Sequence, residues 1–255
     1  MKIISLQSGS NGNCIFVEAD GVRLLFDAGI SGRQAQQRLN AHGRDIHQVD
    51  ALLVSHDHRD HACGMGIYHR KFRIPVYATR GTLRAAQQRM NLGRMQDVHE
   101  VAPGCTIRFG HVVVHTVPTP HDGTDGVAFV VQAGRRRVGI LTDLGHVFAD
   151  LPPLLDTLDA VVLESNFDPG MLAAGSYPEF LQRRIRGPHG HLSNQEAGEL
   201  LRAVGGNRLQ WACLAHLSGD NNSPDLALAT HRRLLGRRFE LFVATRTGPT
   251  DVLEV

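Results

Sequence analysis

The sequence predicts an α/β protein in which two β-sheets pack face to face, with helices outside and a site along one shared sheet edge. Three observations lead there. Apolar, β-branched runs recur along the chain and stop repeatedly at a histidine or a carboxylate. These runs fall into two successive halves, each mixing strands with helices. One of them, Leu52-Leu53-Val54, leads directly into Ser55-His56-Asp57-His58-Arg59-Asp60-His61, which crowds metal-ligating side chains at a strand end. With 255 residues, 42% of them hydrophobic, residues 1–255 can bury a sizeable core as a single domain.

Composition narrows the class only slightly. The net charge of +2 neither demands nor excludes a polyanionic partner. Lys2 and Lys71 are the only lysines among the cationic residues, a bias that a GC-rich coding sequence explains. Cys14, Cys63, Cys105 and Cys213 are widely spaced, with no Cys-x-x-Cys pair, so a zinc knuckle or disulfide framework is not indicated. A reducing cytoplasm suits them. There is no basic segment followed by an apolar run at the start and no window resembling a membrane span, so a cytoplasmic protein is expected.

In chain order, Lys2 to Gln7, Cys14 to Ala19 and Val22 to Phe26 read as strands of an antiparallel meander, separated by Ser8–Asn13 and by Asp20-Gly21. Ser8–Asn13 is glycine-rich but lacks the Gly-Lys-Ser/Thr ending of a phosphate loop and precedes a strand, so it reads as a tight hairpin. Asp27 stops the third strand, either orienting a ligand histidine or simply forming a turn. Ser31 caps a helix to about His42.

His56 and His58, at i and i+2 leaving a strand, point the same way and can close on one ion. Asp60 and His61, on the following turn, cannot easily reach that ion, which predicts a second. A helix over Cys63 to Lys71, a strand over Val76 to Ala78 and a helix over Thr79 to Asn91 follow. Gln96 to Ala133 then forms a second β-region. There Val112-Val113-Val114 leads to His121, a third ligand for the first ion.

The strand Val138 to Leu141 stops at Thr142-Asp143, and a carboxylate there can bridge two cations. A helix near Val147 to Leu155 precedes a strand over Ala160 to Leu163 that ends at Glu164. His191 lies just before a helix opened by the Ser193/Glu196 capping box. Trp211 to Ala215 ends at His216, completing the second ion with Asp60, His61 and Asp143. Pro224 starts a helix to about Leu235, and Glu240 to Thr245 supplies a last strand.

The motif His56-x-His58-x-Asp60-His61, with His121, Asp143 and His216 downstream, resembles the metallo-β-lactamase fold superfamily over the whole chain. That resemblance implies an αββα four-layer sandwich and a two-metal centre: His56, His58 and His121 on one ion, Asp60, His61 and His216 on the other, Asp143 between. It places Asp27 behind the site. Ser8–Cys14, Thr142–Gly145, Glu164–Asp168, Gly190–Asn194 and His216-Leu217-Ser218 are together similar to the YycJ (WalJ) branch. The branch implies a metal-dependent phosphodiesterase, a 5′-to-3′ exonuclease on DNA using a metal-bridging hydroxide, with Asp60, Glu164 and His191 as catalytic groups. The Glu164–His191 pair resembles the one that assists protonation at the scissile phosphate in tRNase Z. Asp143 to His216 is too short for an inserted β-CASP cap, and no glycine-rich arm for gripping tRNA is present.

Two divalent ions, zinc or manganese, suit this His/Asp set. A nucleic-acid substrate, DNA foremost, is the expected partner, with no membrane; no oligomeric state is assigned. Arg59, Asn13, Asn221 and Asn222 are candidate substrate contacts, and Arg183, Arg184 and Arg186 candidate phosphate contacts. The alternative is a small-molecule hydrolase of the same fold, acting on a cyclic phosphodiester, thioester or lactone. A metal-binding sensor without turnover fits less well, because none of the ligands is missing.

Overall fold

The computed structural model describes residues 1–204 and 208–255. Strands Lys2–Gln7 (β1), Cys14–Ala19 (β2) and Val22–Phe26 (β3) form the expected antiparallel meander. Asp20 and Gly21, both at positive φ, make the tight turn between β2 and β3. Helix Gly32–Ala41 (α1) opens on a capping box between Ser31 and Gln34. Strand Ala51–Leu53 (β4) then pairs parallel with β3. Helices Arg59–Ala62 (α2) and Met65–Phe72 (α3), strand Val76–Thr79 (β5), helix Arg80–Arg89 (α4) and strand Val98–Val101 (β6) complete the first half.

The second half runs through strands Thr106–Phe109 (β7), Val112–Pro118 (β8), Val127–Ala133 (β9) and Arg136–Leu141 (β10). Helix Leu151–Leu155 (α5), strand Ala160–Glu164 (β11), and helices Pro169–Ala174 (α6), Glu179–Arg186 (α7) and Asn194–Ala203 (α8) follow. Strand Trp211–Ala215 (β12), helix Pro224–Leu235 (α9) and strands Glu240–Val243 (β13) and Leu253–Glu254 (β14) close it. The strand orders are β14-β1-β2-β3-β4-β5-β6 and β13-β12-β11-β10-β9-β8-β7.

The alternation of side chains along each strand builds the layers. On β1, Ile3 joins the core between the sheets, with Val17, Val114, Ile140 and Val162. Ile4 and Leu6 point the other way, against Leu39 of α1 and Tyr68 of α3. Across the second sheet, Val161 and Leu163 pack with Leu200 and Leu201 of α8. The result is helix, sheet, sheet, helix. Phe26 and Phe129 meet across the sheets with ring centroids 5.1 Å apart, each burial contributing about 1.5–3 kcal/mol.

Four expectations change. Asp60 and His61 lie on the short helix α2 rather than on a turn, and the single helix over Cys63 to Lys71 becomes α3, entered through Gly64. There the chain runs so close to β3's exit that a Cβ would meet Ala28 O at 2.7 Å. Strand β6 joins the first sheet by pairing with β5, and β14 returns to it beside β1. The helix near Val147 begins only at Leu151, where Pro152 and Pro153 suit a first turn and not a preceding one. Strands β3, β4, β10, β11 and β12 all have parallel neighbours, so their C-terminal ends gather at one edge.

Candidate metal centre

Five strand ends supply the site. Asp27 follows β3, Ser55 and His56 follow β4, Asp143 follows β10, Glu164 is the last residue of β11, and His216 follows β12. Asp27, Asp143 and His216 have φ of 64°, 56° and 57°, the left-handed region that costs a non-glycine residue about 1–2 kcal/mol. Such strain clusters where surrounding structure enforces it. Ser8 Oγ accepts the His216 N–H at 2.8 Å, and Asn166 Nδ2 donates to the His216 carbonyl at 2.7 Å.

Four donor groups interlock among the described residues. His56, His58 and His121 form one, Asp60, His61 and His216 another, His56, His61 and Asp143 a third, and Asp143, Glu164, His191 and His216 a fourth, with ligand atoms in each group within 4.8 Å of one another. Asp143 faces both sides: its Oδ2 lies 3.2 Å from His61 Nε2, and its Oδ1 lies 3.7 Å from His121 Nε2 and 3.6 Å from His216 Nε2. His56 Nε2 and Asp143 Oδ2 are buried without any hydrogen-bond partner among the described residues. Buried polar atoms ordinarily have one. Imidazole nitrogens and carboxylate oxygens in this arrangement fit divalent cations of the zinc or manganese type.

The outer ring nitrogens fix how the histidines point. Asp27 Oδ2 stands 2.8 Å from His61 Nδ1, Ser55 Oγ 2.9 Å from His56 Nδ1, and Gly190 O 2.8 Å from His121 Nδ1. His58 is turned the other way, with Nδ1 3.3 Å from His121 Nε2 and Nε2 3.3 Å from Asp122 Oδ1. Asp27 therefore braces the site: it also accepts the Ser55 N–H at 2.8 Å. Close backbone approach helps, since a Cβ on Gly29 would meet Asp60 O at 1.6 Å.

Charge is shared unequally within the cluster. Burial alone would lower the His61 imidazole, but Asp143, Asp27 and Asp60 carry it well above its ordinary value. Burial and the neighbouring His61 push His56 well below. Burial and His121 lower His58. Asp60 and Asp143, though opposed by burial, are held below the usual carboxylate range by the histidines around them. A proton on His61 thus offsets part of the carboxylate charge that cations would offset more fully.

A cleft of about 450 Å³ opens over this edge, bordered by His58, Asp60, Asp143, His191 and His216. His191 Nδ1 stands 2.6 Å from Glu164 Oε1. Burial lowers the His191 imidazole, but Glu164 and then Asp143 more than offset this, so it stands above its ordinary value. Arg59 lines the cleft, as does Arg184 of α7, whereas Arg183 and Arg186 do not. The other expected substrate contacts lie elsewhere. Asn13 is buried against His61 Nε2 at 2.9 Å and ties down the Ser8–Asn13 turn. Asn222 is buried, donating to Ser165 O and Asn166 O, and Asn221 is buried without a side-chain partner. Asn13 and Asn222 thus serve buried backbone groups, and none of the three is among the residues lining the cleft.

Sequence reasoning missed several groups beside the ligands. Asp57, fully buried, pairs with Arg89 at the cleft rim and accepts the Thr124 N–H at 2.7 Å. Asp122 faces His58 and is gripped by Arg184 at 2.7 Å. Asn166 and Tyr177 line the cleft. Only the placing of Asp57 and Asp122 directly beside ligand histidines could have flagged any of them.

Comparison with known proteins agrees with this geometry. The family model described as the beta-lactamase superfamily domain matches residues 22–216. The chain is 31% identical over 254 residues to the exodeoxyribonuclease YycJ of Bacillus anthracis, covering 97% of this chain and 96% of the relative. It is 33% identical over 231 residues to the exodeoxyribonuclease WalJ of Streptococcus pneumoniae, covering 90% and 86%. Among solved structures, the metallo-β-lactamase fold protein YhfI of Bacillus subtilis superposes with a TM-score of 0.74 at 16% identity, over 98% of this chain and 100% of that one. Fold and relatives agree, and the chain belongs to the metallo-β-lactamase fold superfamily of hydrolases, in its YycJ/WalJ branch.

Proposed function

We propose that residues 1–255 form one domain acting as a two-metal phosphodiesterase, specifically a 5′-to-3′ exonuclease on DNA in the cytoplasm. The observation that carries this reading is the placing of two donor groups joined through Asp143, with the Glu164–His191 pair beside them on the cleft. His56, His58 and His121 would hold one zinc or manganese ion, and Asp60, His61 and His216 the other, with Asp143 between. Bound there, such ions supply an activated water and offset charge on phosphoryl oxygens. The names of the relatives, both exodeoxyribonucleases, support DNA as the polymer.

The chain's own groups do the rest. Asp27 fixes the His61 ring so that Nε2 faces inward. Asp60, partly exposed to the cleft, is placed to accept a proton from the attacking water. His191, with Nδ1 committed to Glu164, presents Nε2 and donates its proton to the leaving oxygen. Arg59, on the cleft border, offers its guanidinium to a flanking phosphate.

The test is the metal-loaded protein on 5′-phosphorylated and 5′-hydroxyl, single- and double-stranded DNA and RNA, beside bis(p-nitrophenyl) phosphate. Stepwise release of mononucleotides from DNA 5′ ends, weakening steeply with salt, is expected. Hydrolysis of the model diester with every oligonucleotide left intact would replace this reading with that of a small-diester hydrolase.

A further inference from the structure

Helix α7 is unlike the other long helices. It carries Phe180, Leu181 and Ile185 over eight residues, yet none of its residues is buried. Helices of this length ordinarily owe their stability to an apolar face packed on the protein body. Here the attachments are polar. Arg184 grips Asp122, Gln182 donates to Tyr177 O at 2.9 Å, and Ile185 O accepts the His191 N–H at 3.0 Å. Tyr177 is held just before the helix, its hydroxyl donating to Asp220 at 2.6 Å.

Helical spacing sets Leu181, Arg184 and Ile185 on one face, and these three with Tyr177 form a wall of the cleft. Phe180 stands one turn before Arg184, at the border of that face, and is 73% exposed. A single exposed apolar residue means little on its own. This one adjoins Leu181, at the edge of a cleft whose border includes Leu181, Ile185, His191, Arg59, Arg89 and Arg184. The occupant that suits such a wall has flat apolar faces and carries negative charge.

We propose that the Tyr177–Ile185 wall is a nucleobase platform, on which the unstacked terminal bases of a single-stranded nucleic-acid end rest while their phosphodiester enters the metal centre. The inference rests on the phosphodiesterase reading above. Base stacking on aromatic side chains is tolerant of sequence, so the platform grips any base.

The test uses metal-loaded wild type, Phe180→Ala and Phe180→Trp. Trp211, the one tryptophan of the chain, is buried, so a tryptophan at 180 reports on its own surroundings. Phosphorothioate oligothymidylate should quench the fluorescence of the Phe180→Trp protein, and an abasic strand of equal length and charge should not. For cleavable oligothymidylate, Phe180→Ala should raise KM on the order of 10-fold, with Phe180→Trp restoring it.

Equal binding of the abasic and thymidylate strands, or an unchanged KM in Phe180→Ala, would overturn the platform while leaving the nuclease reading in place. A shift from dimer to monomer on Phe180→Ala in sedimentation, with KM unchanged, would overturn it in favour of a contact between two copies. Wild type that cleaves only the model diester and binds no strand would overturn both readings.

Discussion

His191 Nδ1 stands 2.6 Å from Glu164 Oε1, while the second oxygen of the same carboxylate accepts the Leu144 N–H at 2.9 Å. Each Glu164 oxygen thus accepts one hydrogen bond, which fixes the carboxylate and through it the His191 ring. Replacing His191 by Ala should lower kcat by about 10²–10⁴, the contribution of a well-placed general acid. Metal content, read by elemental mass spectrometry, should stay at the wild-type value. Loss of metal in that variant would show that His191 is a ligand.

Asp27 acts through His61 instead. It accepts from Ser55 and faces His61 Nδ1 at 2.8 Å, with no position among the cleft-lining residues. Asp27→Ala should weaken metal affinity by about 10- to 100-fold, as removal of a ligand's hydrogen-bond partner does. Chelator competition measures this directly. An Asp27→Ala protein that retained wild-type affinity but lost turnover would assign the residue to the reaction itself.

Much of the candidate ligand set is legible because His56–His61 crowds donor types after one apolar strand, and that stretch gives meaning to His121, Asp143 and His216, each of which follows another apolar run: Val112-Val113-Val114, Val138–Leu141 and Trp211–Ala215. Pairings made only by folding left no such trace: Arg89 reaches Asp57 across 32 positions and Arg184 reaches Asp122 across 62. Asn13, Asn221 and Asn222 are buried away from the cleft lining, and polarity alone does not say whether a side chain meets water or the protein interior. Strand β14 is two residues long, too short for any period to show.

Removing the metals should destabilise the protein measurably. Without cations, His56 Nε2 and Asp143 Oδ2 are buried without a hydrogen bond among the described residues, and carboxylates crowd His61. Ligands that bind only the folded state add RT ln(1 + [L]/Kd), about 2.7 kcal/mol at 100 times Kd. Chelated protein should accordingly melt several degrees lower, and re-addition of zinc or manganese should restore Tm. Because imidazole must be neutral to bind, metal competes with the proton on His61, whose imidazole stands above its ordinary value, so metal affinity should fall as pH is lowered. A Tm indifferent to chelator would exclude a bound ion as part of the folded state.

The cysteines offer a separate check on packing. Burial pushes the Cys14 and Cys213 thiols up to about 12, Cys14 in spite of a hydrogen bond from Tyr68. Thiolate is the reactive form, so both should resist Ellman's reagent at pH 8 in the native protein. All four thiols should react once the protein is unfolded. Rapid native labelling of Cys14 would mean that the β2 region opens readily.

Arg89 and Asp57 make an unequal pair: the carboxylate is fully buried, while the guanidinium side chain is 54% exposed. Losing Arg89 leaves Asp57 with the Thr124 N–H, and water can partly take the guanidinium's place. Arg89→Ala should then cost only about 1 kcal/mol, near the lower limit for an unsatisfied buried group. Asp57→Ala removes the acceptor for both partners and frees the loop at Thr124. A Cβ on the neighbouring Gly123 would meet His56 Cβ at 2.7 Å, so that loop packs directly on a ligand. Asp57→Ala should cost about 3 kcal/mol in urea unfolding, with the double variant costing less than the sum of the two. Strict additivity would show that the pair does not couple, and that Arg89 is free to meet substrate phosphate at the rim.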